Sequence, residues 1–476
     1  MTVVLRDRFD ITLDAVRRVA WQGEDVSLHR DTLERIGACR RSFMQLIESD
    51  SDITVYGVTT GMGERASVKL GPDERKAQAA RPPLAGASFG RPLPERVVRA
   101  IVLARLANFL DGHAAVRPEL AQAVAAMLDG RTLPEVPVQG NGSAGEILAL
   151  GHLFAELAAR VGTEEKESLS LINGSPCAAA LAADSALAGR SRLRLAHTVF
   201  ALSAEAIGAP LEAYAPELEE LWGDEHETAA LRALRALLAG GSDERRPYQA
   251  PVSYRILPRV LAEANRALAG VEQVADISLR SVSDNPVYIV PDAEHPLGRV
   301  WSTGGYHNGM AYPALDRLAS AWANLCQLAE RQVERLANDG FLVTPGTSGF
   351  AHILLMPMVG YAEEARAAAQ ATILPRGGYP QNDVTAPSFI AWEREEQAAG
   401  ALEACLAVLA ACASQALHAS GRDAPPALRG FLAEVRELFP PVDEPRTLGP
   451  DAGRLAAAFH ERVYAPGDTR PLEAVT

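Results

Sequence analysis

The chain has 476 residues, 48% of them hydrophobic, with 46 basic against 60 acidic residues and a formal charge of −14. That hydrophobic fraction supports a large buried core and excludes an intrinsically disordered chain, while the acidic balance argues against a nucleic-acid partner, which a basic face would attract. No long uninterrupted apolar run marks a membrane span, the opening MTVVLRDRFD carries no apolar signal core, and Cys39, Cys177, Cys326, Cys405 and Cys412 are irregularly spaced without a CxxC pair. These features predict reduced, buried thiols and a cytoplasmic protein with no membrane partner.

In chain order, residues 95–110 and 119–128 repeat apolar side chains at i, i+3, i+4 and i+7, the spacing of one helix face. Residues 315–337 do the same without a glycine or proline, which predicts a long helix whose apolar stripe needs partners in a bundle. The alanine-rich stretch 396–417 predicts another. Short alternating runs at 55–58 and 287–290 are the strand candidates. The pattern predicts an all-α fold built on a long central helix bundle, with a mixed part over 1–200 and a helical part over 201–476. Proline and glycine cluster at 81–94, 133–145, 246–258, 302–309 and 375–387, which marks loops between helices. Loops on a rigid scaffold are where chemistry is usually carried.

The loop PEVPVQGNGSAGEILALGHL ends in a helical pattern and holds Gly140, Gly142 and Gly145 around Asn141, Ser143 and Ala144. Glycines there allow tight, positive-φ backbone. Ser143 followed three residues later by Glu146 also fits a capping box at a helix start. Other segments have their own weak signals. VYGVTTGMG puts Tyr56 before a glycine-rich loop, LSLINGS puts Asn173 before a glycine, SYRILP sets Tyr254 and Arg255 in a proline-bounded loop, and SVSDNP places Asn285 ahead of STGGYHNG with His307. The histidines form no HxxxH or HExxH pair, and neither a P-loop nor a dinucleotide fingerprint is present, so no metal and no nucleotide cofactor are expected.

The order and spacing of these segments, from FDITLDAVRRVA through DGHAAVRPEL, YRILPRV, SDNPV and SGF to PQNDV, resemble the aromatic amino acid ammonia-lyase family over about residues 8–400. That family includes histidine, phenylalanine and tyrosine ammonia-lyases and the related aminomutases. The resemblance implies an all-helical fold, a homotetramer, and active sites assembled from loops of three subunits. It also implies an electrophile, 4-methylidene-imidazolone, made by cyclisation and water loss from an Ala-Ser-Gly of the chain itself. The central serine supplies the methylidene, and the third residue is glycine because its amide must attack within a tight turn.

Here the sequence departs from the family. Counted back from His152, the three positions fall on Ser143, Ala144 and Gly145, and alanine at the centre has no oxygen to lose. A one-residue slip centres Ser143 but puts a side chain on the attacking residue, Ala144. The electrophile is therefore not expected. A family tyrosine falls on Val252, with Tyr254 nearby but out of register. The ring-selecting pair falls on Leu84 and Ala85, both apolar, and the family's Asn-Phe-His reads Tyr306, His307 and Asn308.

Other positions are kept. By resemblance, Tyr56 is the base-side tyrosine, the loop reaching Gly63 is a lid, and Arg255 grips a substrate carboxylate with a bidentate fork. Asn173 and Asn285 are polar residues around the reacting centre, and Gln381 faces the amine. For each, hydrogen bonding that merely holds a loop is the plainer role. Three functions fit: a lyase that works without the electrophile on a small-molecule carboxylate with a good leaving group, as ergothionases expel trimethylamine from a betaine; a different reaction, addition or cyclisation, on the same scaffold; and a catalytically silent ligand-binding relative. Retention of Tyr56 with Arg255 favours an enzyme over a silent scaffold.

Overall fold

The computed structural model describes residues 2–49, 52–130, 132–344 and 350–465; of the motif SGF, Ser348 and Gly349 lie outside them. The chain is all-α. Its longest helices are Pro176–Ala206, Leu257–Arg280, Ala311–Asn338 and Ser388–Ala419. Among the described residues, strands occur as three two-stranded sheets: Thr2–Leu5 parallel to Asp25–Leu28, and two antiparallel hairpins, Val287–Ile289 with Arg299–Trp301 and Arg376–Tyr379 with Asn382–Val384.

Two compact units are present, each drawn from three segments. The first comprises 1–185, 271–314 and 372–393, and the second 186–270, 315–371 and 394–476. Residues 271–314 and 372–393, which a division at residue 200 places in the helical part, thus contribute both hairpins to the first unit.

Alanine makes the long helices possible. It is the strongest helix former and, being small, lets helices approach closely. In the second unit, a Cβ built at Gly189 would lie 2.6 Å from Leu268 Cδ1, so a side chain there would have to displace the leucine methyl. Helix Ser388–Ala419 is long and apolar enough to cross a membrane by length and composition, but 94% of its most apolar window is buried within the fold, as for a core helix. Charges buried in the second unit are paired, as burial requires. Arg192 donates to Glu403 at 2.8 Å and Glu396 at 3.2 Å, and Trp322 donates to Glu395 at 2.7 Å. All five cysteines are buried and free.

The helix expected at 95–110 spans Glu95–Leu110, and that expected at 119–128 is Pro118–Ala125 tightening into a 3-10 turn at Ala126–Leu128. The helix expected from 315 begins earlier, at Ala311, because Asn308 Oδ1 accepts from the Met310 and Ala311 amides and caps it. Strand 287–290 is real, as Val287–Ile289. Strand 55–58 is not: the segment is a turn. Gly57 has φ +68°, and Thr59 Oγ1 takes the Val55 amide at 2.7 Å, removing a donor a sheet would need. Val55 and Val58 are buried with Phe43, Ile47 and Tyr288, which fixes the base of the glycine-rich loop.

Candidate active site

A cavity of about 410 Å³ lies in the first unit. It is lined by Tyr56, Gly63 and Glu64 from the glycine-rich loop; Ala144 and Ile147; Asn173 and Asn285; Ser302, Thr303 and Tyr306; and Tyr379, Gln381 and Asn382 from the last hairpin. Segments separated by hundreds of residues in sequence therefore meet at one place. Of the residues singled out in the sequence, Tyr56, Gly63, Ala144, Asn173, Asn285, Tyr306 and Gln381 are brought together.

Each is held by a specific contact. The Gly63 amide, freed by a backbone at φ +58°, donates to Tyr56 Oη at 2.9 Å. That fixes the phenol oxygen and leaves its own hydrogen to be donated elsewhere. Asn173 donates through Nδ2 to Asn285 O at 2.7 Å, and Asn285 Oδ1 accepts from the Thr303 amide at 2.7 Å. Beneath this pair is a charged foundation. Lys166 and Asp284, both fully buried, pair at 2.5 Å, and Asp284 Oδ1 accepts the Asn285 amide. Arg105, also fully buried, donates to the carbonyls of Ser170 and Asn173 at 2.6 Å each. Burial lowers the Lys166 ammonium pKa, and the Asp284 carboxylate works against that shift.

The loop 143–145 is as firmly placed. The Ala144 amide donates to Asn382 Oδ1 at 2.7 Å, and Ser143 O accepts from the Ala386 amide at 3.1 Å. Gly145 has φ +64°, and a Cβ there would meet Tyr306 Cβ at 3.2 Å, so glycine is required. The capping box does not form. Ser143 Oγ lies 3.4 Å from Gly145 O, and helix Ile147–Val161 starts without a side-chain cap. Glu146 reaches a different helix: its carboxylate accepts from the Cys177 and Ala178 amides at 2.5 and 2.7 Å, at the N-terminus of Pro176–Ala206. Burial pushes its carboxyl up to about 7, against the pull of those amides and of Arg105.

The residues present do not fit the family's self-made electrophile. The side chain at the central position is a methyl group, and the Ala144 nitrogen, which the slipped register would need as attacker, is already donating to Asn382.

Other expected residues lie elsewhere. Arg255 belongs to the second unit, on a short helix Val252–Arg255 and not in an irregular loop; its exposed side chain donates to Ala250 O at 3.0 Å. Tyr254 is buried against Ser203 Oγ at 3.2 Å, and burial pushes its phenol far up. Leu84 is 82% exposed, and Ala85 packs beneath Gly151; neither lines the cavity. His307 stands edge-on to Tyr312 outside the lining residues. Glu64, Tyr379 and Asn382 were missed as site residues. Their signal was adjacency to Gly63 and Gln381 in GMGE and GYPQND.

A family model for aromatic amino acid lyases matches residues 11–437. Histidine ammonia-lyase of Symbiobacterium thermophilum is 30% identical over 490 residues, covering 94% of this chain and 95% of that protein. Among solved structures, a tyrosine aminomutase superposes with TM-score 0.85 at 25% identity, covering 98% of each chain. Ergothionase from Treponema denticola, in complex with desmethyl-ergothioneine sulfonic acid, superposes with TM-score 0.87 at 18% identity, covering 98% of this chain and 99% of that one.

Proposed function

The chain belongs to the aromatic amino acid lyase family and is a carbon–nitrogen lyase, and from that premise we propose that it eliminates an amine from an amino-acid-like carboxylate without a methylidene-imidazolone. The observation that carries this reading is Ala144, a methyl-bearing residue lining the same cavity as Tyr56, Asn173, Asn285 and Gln381. Tyr56, once its own phenol hydrogen has passed to solvent, takes on Oη the proton from the carbon next to the one bearing nitrogen. The released C–H electron pair becomes the new carbon–carbon double bond, and the C–N pair departs with the amine, leaving an unsaturated carboxylate. The barrier that an electrophile lowers in relatives is set by a poor leaving group. A quaternary amine, which leaves as a neutral molecule and cannot be protonated further, needs no such help.

Arg255 is the carboxylate anchor in this reading, supplied by a neighbouring subunit of a homotetramer. Supporting an assembly, Leu84 and Phe89 are 82% and 85% exposed in the single chain, an unusual cost for large apolar side chains unless covered. The protein is expected to act in the cytoplasm, with no nucleic-acid or membrane partner.

The test combines mass and turnover. Intact mass should equal that of the full sequence, with no loss of two waters. Phenylalanine, tyrosine and histidine should give no cinnamate, coumarate or urocanate, while a screen of their betaines should release tertiary amine. A mass short by two waters, or ready deamination of the free amino acids, would overturn the proposal.

A further inference from the structure

Among the described residues, no lysine, arginine or histidine lines the cavity, and Glu64 is its one carboxylate. Three phenols, Tyr56, Tyr306 and Tyr379, share the lining with it. The chain's own lining, one anion and three electron-rich rings with no cation among them, favours a positively charged group, through Coulomb attraction and the negative faces of the rings, beside the carboxylate assigned to Arg255 of a neighbouring subunit. Glu64 is also placed by the fold. Its Oε1 accepts from the Gln381 amide at 3.2 Å, tying the glycine-rich loop to the last hairpin. Oε2 has no hydrogen-bond partner among the described residues and is left for a ligand.

We infer that Glu64, with the rings of Tyr306 and Tyr379, forms the subsite for the substrate's cationic nitrogen and sets specificity for a permanently charged amine over a neutral group of the same shape. This rests on the reading of the cavity as the substrate site. It adds a role for the lid: because Oε1 is held by the hairpin, Glu64 can face the cation only while the loop is docked on Gln381. The cation thus holds the loop closed over Tyr56, and a neutral isostere does not. In the elimination itself Glu64 takes no proton. It pairs with the ammonium in the bound substrate and is released from that charge as the C–N bond breaks and neutral amine forms.

The experiment measures dissociation constants for two ligands, phenylalanine betaine and the analogue in which tert-butyl replaces trimethylammonium, on the parent, Glu64→Gln and Ala144→Phe. Glu64→Gln keeps an oxygen for the Gln381 amide and removes only the charge. The parent should prefer the cation by about 10-fold, because Glu64 is exposed to solvent and its attraction is screened. Glu64→Gln should bring that preference to near 1, and added salt should do so partly in the parent. Ala144→Phe, which puts a ring into the cavity, should abolish binding of both. An unchanged preference in Glu64→Gln, with binding lost in Ala144→Phe, would overturn the Glu64 assignment and leave the cavity standing. Unchanged binding in Ala144→Phe would place the ligand elsewhere and overturn both. Failure of the parent to bind the betaine more tightly than its isostere would overturn the inference directly.

Discussion

Glu146→Gln should change how stability depends on pH, and the size of the effect follows from where the side chain lies. The Glu146 carboxyl is buried and pushed up to about 7 from an ordinary 4.5. The folded chain therefore keeps a proton that the unfolded chain has already lost, and stability falls as pH rises from about 4.5 to about 7. At about 1.4 kcal/mol per pKa unit, the loss is on the order of 3 kcal/mol. Glutamine has no proton to lose and removes this slope, but it sets an NH2 group, which only donates, against one of the Cys177 and Ala178 amides that Glu146 oxygens face. That defect costs about 1 kcal/mol at every pH. The variant should therefore be slightly less stable than the parent near pH 5 and more stable near pH 8, a swing of about 3 kcal/mol. With a melting entropy of about 2 cal/mol/K per residue, the swing corresponds to about 3 °C in melting temperature. Parallel melts of both proteins across that range provide the assay. A difference between them that stays flat to within about 1 °C from about pH 5 to about pH 8 would refute the argument that the charge at Glu146 is strained by burial.

Tyr56→Phe should lower kcat by about 10²- to 10⁴-fold with little change in ligand binding, since only the proton-moving hydroxyl is lost; steady-state kinetics on the best betaine check this, and full turnover would assign the base elsewhere. Arg255→Ala should weaken binding of a carboxylate ligand by orders of magnitude, as expected for loss of the charged, bidentate partner of that carboxylate; an unchanged dissociation constant would remove it as the anchor. Lys166→Met should destabilise the protein by about 3–5 kcal/mol by leaving Asp284 buried without its cation; a melting temperature equal to the parent's would show that the pair is not a structural foundation. Light scattering at micromolar concentration should give a tetramer, and a stable monomer would refute the expected assembly.

The helices were legible in the sequence because helical hydrogen bonds are local and the buried face repeats every three to four residues. Glu95–Leu110 is an example. The same locality explains the error at 55–58, where a short apolar run resembled a strand but a hydrogen bond from the Val55 amide to Thr59 Oγ1 and a positive-φ Gly57 closed a turn. Within the site, the sequence by itself determined the chemistry of the 143–145 loop, since which atoms can leave is a property of the residues, and an alanine side chain carries no oxygen wherever it is placed. It also singled out Tyr56, Asn173, Asn285 and Gln381, which stand in ordered motifs and line one cavity. Only the tertiary structure decided what surrounds them. Glu64 and Tyr379 gain meaning because the glycine-rich loop meets the last hairpin, a contact over more than 300 positions that no local pattern encodes. Glu146 looked like the partner of Ser143 at its own helix start, yet burial beside Pro176–Ala206 gave it two unsatisfied amides of another helix. A carboxylate goes to the nearest unpaired donors in space, and the sequence lists neighbours only along the chain.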